Sequence, residues 1–146
     1  MLTFAPTLVR DTTQFELPRP ILSLRIRDDW DLERNKVPLR RGELHSGQSQ
    51  NGVDILITGQ IGTQSGQLRI HEQEMFETLT QLRNQLDTTT PTGTFRLSLY
   101  HDGLGQHHYF DLCTTMKFEA DLSDKHLFDF SIQIRAADPI IHFGPL

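Results

Sequence analysis

The sequence predicts a mainly β fold of the α+β kind with a single α-helix, and three patterns carry that prediction. Val53 to Ile61 alternates apolar and polar residues, and so does Phe128 to Arg135, which is the period of a half-buried strand. Between them Met75, Leu79, Leu82 and Leu86 step by four, three and four residues, which at about 100° per residue gathers them on one narrow stripe of a helix. With 146 residues the chain fits one domain, 1–146, long enough to bury a single core.

Taken in order, residues 1–20 alternate weakly and are punctuated by Pro6, Pro18 and Pro20, so the expectation is an extended N-terminal arm with one short edge strand. Leu22, Leu24 and Ile26 alternate with Ser23, Arg25 and Arg27 as the first clear strand. Periodicity then dissolves, and residues 28–52 read as a long loop, part of it a hairpin in which Val37, Leu39 and Arg41 continue a strand. Trp30 near its start is placed to anchor the loop to the core or to a neighbour, and Lys36, Arg40 and Arg41 form a small basic cluster suited to acidic groups on a partner.

Val53, Ile55, Ile57, Gly59 and Ile61 share one face of the next strand. Leu56 on the opposite face marks a central strand covered on both sides. The helix is expected over about residues 70–86, with Glu72 and Glu74 at its start and Arg83 near its end complementing the helix dipole. Pro91 ends it, because the residue before proline avoids helical geometry. A stripe this narrow suits a helix lying on a sheet. Phe95, Leu97 and Leu99 then form a strand, and Asp102-Gly103 with Gly105 turns it into a return strand carrying Phe110, Leu112, Thr114, Met116 and Phe118 on one face. Phe128, Phe130, Ile132 and Ile134 form the last regular strand, stopped at Asp138-Pro139. An apolar tail, Ile140 to Phe143, remains to close the core or to pack against another subunit, with Phe143 the candidate contact.

Charge and composition narrow the function. The net charge of -5 opposes an extended nucleic-acid surface, and the acidic excess lies beyond residue 50. One cysteine, Cys113, precludes an intrachain disulfide and fits a reducing compartment, where it serves as a small core residue. No apolar run approaches the roughly 20 residues of a membrane span. Catalytic patterns are missing from the sequence: His107 and His108 are neighbours on a strand and point to opposite faces, no Gly-x-Ser-x-Gly turn presents a serine, and no phosphate loop follows a strand. The expectation is a non-enzymatic protein without metal or cofactor, whose working parts are interfaces.

The segment Gly52 to Gly59, the single helix with Leu79, Leu82 and Leu86, the strand Leu97-Ser98-Leu99-Tyr100 and the closing Ile134 to Pro139 together resemble the amino-terminal domain of tailed-phage distal tail proteins, over residues 22–140. The resemblance implies a tail-tube-like β-sandwich or barrel flanked by one helix and assembled as a homo-hexameric ring with a central channel. A structural virion protein follows from it, made in the host cytoplasm and built into the tail as a distal tail, tail-tip hub or tube-type ring. Its partners would be the tail tube protein, the tail hub and the tape-measure protein, with transient, non-specific passage of DNA. The alternative is a monomeric β-domain binding a ligand such as carbohydrate through Trp30, Tyr100 and Tyr109.

Overall fold

Residues with alternating burial pair into one antiparallel sheet, and the computed structural model describes residues 1–36, 43–62, 71–89, 93–124 and 126–146. The elements are β1 (Thr3–Arg10), β2 (Thr13–Glu16), β3 (Ile21–Arg27), β4 (Trp30–Lys36), β5 (Glu43–Gln50), β6 (Val53–Gly62), α1 (Glu72–Leu86), β7 (Phe95–His101), β8 (His107–Asp124), β9 (Leu127–Ala136) and β10 (His142–Gly144). The main sheet runs β2-β1-β7-β8-β9-β6-β3, with β10 added beside β8, while β4 and β5 form a separate two-stranded ladder.

The sheet curls around its core. In a flat sheet β1 and β6 would lie about 19 Å apart, four strand spacings, yet α1, a cylinder of about 10–12 Å, touches both of them and β8 as well. One continuous cluster accordingly joins Leu8, Leu97 and Phe110 to Ile55, Ile57, Ile132 and Ile134, capped by Met75, Leu79, Leu82 and Leu86 of the helix. The expected stripe is the buried one. The carbonyls that a helix leaves unpaired at its C-terminal end are met here by the sheet: Leu86 accepts from Thr115 Oγ1 at 2.6 Å and the next residue, Asp87, from Arg10. Gly59 is required on β6 because the Phe130 ring lies over it, and a Cβ there would come within 2.5 Å of Phe130 Cζ.

Two segments differ from the sequence reading. The region expected as an arm, 1–20, holds the β1–β2 hairpin, and β1 lies inside the sheet between β2 and β7 with Ala5, Leu8 and Val9 buried. Pro6 disguises it. The β1–β7 register shifts between Phe4 and Thr7, so the proline, which has no N–H to give, falls in the irregularity, and its carbonyl accepts from Leu17 N at 2.9 Å. The described part of the region read as a long loop, 28–36 and 43–52, extends the β3–β6 hairpin: pairing passes from Arg27↔Asp54 to Trp30↔Gln50, tied by Asn51 N donating to Asp29 O at 2.7 Å. Its sequence is polar at nearly every position, so the backbone pairs without any period of two. Val37, Leu39, Arg40 and Arg41 lie outside the described residues.

A third difference lies in β8. The expected face of Phe110, Leu112, Thr114, Met116 and Phe118 is broken twice. Phe110 and Cys113 are buried, whereas Leu112 and Met116 are exposed. An extra residue enters where the β7 ladder shifts, and Leu112 sits there with φ 53°, a left-handed conformation; a second shift follows between Thr115 and Lys117. The first bulge is where β8 leaves β7 and takes up β9, at Cys113, which pairs with Phe95 and Ala136. Because a leucine pays about 1–2 kcal/mol for left-handed backbone, Leu112→Gly should be more stable than Leu112→Ala, by about 1 kcal/mol in urea unfolding, inverting the usual order in a strand.

Candidate functional site: a polar strand layer with two open edges

Past the bulge, β3, β6, β9 and the second half of β8 form a four-stranded layer with one face on the core and the other polar. The cross-strand rows of the polar face follow from the registers: Arg27, Asp54, Arg135 and Thr114; Arg25, Leu56, Gln133 and Lys117; Ser23, Thr58, Ser131 and Glu119; then Gln60, Asp129 and Asp121. Asp54 and Arg135 form an ion pair at 3.0 Å, half-buried, and the Ser23 and Thr58 hydroxyls meet at 2.6 Å. Charge changes sign along the strands. Arg25, Arg27, Arg135 and Lys117 occupy the end nearest β4, while Glu119, Asp121 and Asp129 occupy the other, around a cleft of about 440 Å³ lined also by Leu22, Thr58 and Gln60. Lys117 Nζ holds Glu119 at 2.6 Å, a hydrogen bond that raises the lysine pKa, and Ser123 donates to Asp121 through its hydroxyl and its N–H, lowering that carboxyl below its ordinary range.

Both lateral edges of this layer are unpaired among the described residues: β3 ends the strand order, and β8 beyond Cys113 has β9 on one side alone. Which groups the edges offer follows from parity. Gln60, on the polar face of β6, donates its N–H to Pro20 O at 3.0 Å, so polar-facing residues of β6 bond toward β3 and core-facing ones toward β9. Carrying the alternation across, Ser131 bonds to Glu119 and Thr58 to Ser23. The groups left at the open edges therefore belong to core-facing residues, Leu24 and Ile26 on β3 and Phe118 and Ala120 on β8.

The residues singled out from sequence fall elsewhere. Trp30 opens β4 at the base of the hairpin extension and is half exposed, and Lys36 closes the same strand; Arg40 and Arg41 lie outside the described residues. Phe143 is on β10, exposed at 60 %, with its ring 4.6 Å from that of His108. Trp30 and Lys36 stand at opposite ends of β4, about 20 Å apart along the strand, and Phe143 is on a strand that does not neighbour it, so the structure brings none of the three together. The open edges went unnoticed in the sequence because an edge is a property of pairing, which alternation alone does not reveal.

Other chemistry is thinly provided. Ser98 Oγ lies 3.1 Å from His107 Nδ1, but Ser98 is buried, so the pair satisfies an interior hydroxyl rather than presenting a nucleophile. Among the described residues no three His, Cys, Asp or Glu side chains gather to hold a metal, and no helix is long and apolar enough to cross a membrane. Tyr109 is stacked on His142 at 5.5 Å with the Arg96 guanidinium 5.2 Å from its ring, whereas Tyr100, tilted against Phe4, and Trp30 are exposed. Cys113 is buried, and burial pushes its thiol up to about 12. The folded protein should therefore resist alkylation at pH 8 and react once denatured, as mass spectrometry of iodoacetamide-treated samples would read.

No protein-family model and no curated protein matches the sequence. Solved structures do. The chain superposes on the Dit protein (gp 19.1) of SPP1, described as a paradigm of the hub adsorption apparatus in phages infecting Gram-positive bacteria, with TM-score 0.60 and 12% identity over 92% of this chain. It spans about half of that protein, 50% of its length. It also superposes on a chain from the tail of an empty GTA particle, refined with C6 symmetry, with TM-score 0.52 and 9% identity, covering 97% of this chain and 95% of that one. At these identities the likeness is one of fold, a fold shared with about half of a phage distal tail protein and with nearly the whole of a GTA tail chain.

Proposed function

We propose that the protein is a structural component of a phage tail, a homo-hexameric ring at the distal tail, tail-tip hub or tube, without catalytic activity. The observation that carries this reading is the four-stranded layer with an open edge on each side. Its strands alternate in direction and are even in number, so a copy rotated about an axis along the strands brings its β8 antiparallel to β3 of its neighbour. Such a head-to-tail contact is heterologous, and a six-fold rotation without translation closes it into a ring instead of a filament. It would also consume the edges that otherwise invite uncontrolled pairing.

Six copies, the symmetry of the GTA tail, would line up about 24 strands with a circumference of about 115 Å before tilt. Barrels of 16–18 strands already enclose an aqueous channel. A channel of this size is wide enough for a duplex, and its polar lining, in which Arg25, Arg27, Lys117 and Arg135 are matched by Asp54, Glu119, Asp121 and Asp129, offers no continuous basic surface to hold DNA phosphates. The hairpin extension with Trp30 and Lys36, the basic residues Arg40 and Arg41, and the β10 surface with Phe143 are the proposed contacts to the tail tube protein, the tail hub and the tape-measure protein, and the virion tail is the proposed location.

Light scattering on the purified protein, alone and with tail tube protein, tests the reading. The expected mass is roughly six times the 16.8 kDa chain, in one of the two samples at least. A particle that stays monomeric and does not bind the tail tube protein would sink the proposal.

A further inference from the structure

Resting on the ring reading, the geometry points to the register and the charge pairs of the seam: Arg25 and Arg27 on β3 of one copy lie opposite Asp121 and Glu119 on β8 of the next, and the polar face lines the channel. Strands in a closed barrel tilt by about 35–45°. At the lower end of that range, four strands per copy displace each neighbour along the strands by about 13 Å, or about four residues, whatever the number of copies.

Handedness sets the direction of that displacement. For L-residues on a rising strand with side chains toward the viewer, N–H and C=O point to the right. Gln60 donates toward β3, so from the polar side, with β3 rising, β6, β9 and β8 follow to its right. The fixed twist of sheets makes barrel strands coil right-handedly. With the polar face inward, the neighbour's β8 therefore shifts in the direction from Ile21 to Arg27. Glu119, level with Thr58 within its own copy, moves to the level of Asp54 and meets Arg27, and Asp121 moves from the level of Gln60 to that of Leu56 and meets Arg25. With the core face inward the shift reverses, and both arginines pass beyond Thr114, away from the acids.

Three independent features agree with this register. It sets Ile26 opposite Ala120, and these are edge residues whose backbone groups point outward, so the ladder hydrogen bonds form, while the charged pairs take the closer non-hydrogen-bonded positions. Ile26 and Leu122, apolar and exposed at 39% and 42%, sit at the two edges and are covered. Within one copy Asp121 faces Asp129 directly, a repulsive cross-strand pair that an arriving arginine relieves, and among the described residues Arg25 and Arg27 make no ion pair.

Two variants in one chain, Arg25→Cys with Asp121→Cys, or Arg27→Cys with Glu119→Cys, should on mild oxidation give a ladder of covalent species up to the hexamer on a denaturing gel. Pairing Arg25→Cys with Glu119→Cys, a register shorter by two residues, should give far less. A charge test needs no oxidant. Arg25→Asp/Arg27→Asp and Glu119→Arg/Asp121→Arg should each lose the ring alone and regain it when mixed, because the two variants alternate around an even-numbered ring. Rings that form in the wild type but cross-link better in the shorter register, or are indifferent to both charge reversals, would overturn this seam and leave the ring reading standing. A wild type without any ring would overturn both.

Discussion

Ala120→Pro is expected to abolish ring assembly while leaving the protomer folded. The N–H of Ala120 points to the open side of β8, so proline removes a donor that no strand among the described residues uses, and the β8–β9 ladder is untouched. Across a seam the loss is direct: one ladder hydrogen bond disappears, and the ring clashes with the incoming strand at every one of the repeated interfaces. Glu119→Pro one residue earlier is the control, since that N–H bonds to β9 and its removal should cost stability in the monomer. Thermal unfolding and size-exclusion chromatography separate the two. Ala120→Pro should keep its melting temperature as a monomer and lose the large species, whereas the reverse outcome would mean that the edges are assigned the wrong way round.

Phe110→Ala is expected to destabilise the fold by about 3–5 kcal/mol, a large share of the roughly 5–15 kcal/mol that holds a domain of this size. Phe110 is the largest of the fully buried side chains and sits just before the bulge at Leu112, where β8 changes partners. Truncating it removes the transfer energy of a phenyl group and leaves a cavity that the neighbouring strands fill poorly, because β7 and β9 are pinned by their own ladders on either side of Cys113. Urea unfolding should show the loss as a lowered midpoint with an unchanged slope. A change below about 1 kcal/mol would mean that the two halves of the core are not joined at this point.

The sequence was legible where one face of an element meets the core. The stripe Met75, Leu79, Leu82 and Leu86 and the alternation of β6 and β9 translate directly into buried positions, because burial forces the period. Legibility failed where pairing is not accompanied by alternation. Pro6 argues against an interior strand, and the irregular β1–β7 register makes room for it; the β4–β5 extension has only Trp30, Leu32 and Leu44 as apolar residues, too few to set a period; and Leu112 and Met116 stand at bulges that reset the parity of β8. Chemistry alone marks the interface residues in the sequence, a lone tryptophan, a basic cluster and a phenylalanine in the apolar tail. The layer that best explains assembly is defined instead by what its edges lack, and the charged residues on it, Arg25, Arg27, Glu119 and Asp121, look like ordinary solvated strand positions until the topology sets them at opposite sides of one layer.

Electron microscopy of the assembled protein viewed along the ring axis should show closed six-fold rings in which β3 of each copy continues the sheet of β8 of the next, with Thr58, Ser131 and Gln133 facing an open channel. Discrete monomers, or rings joined through any surface other than the β3 and β8 edges, would contradict this assembly.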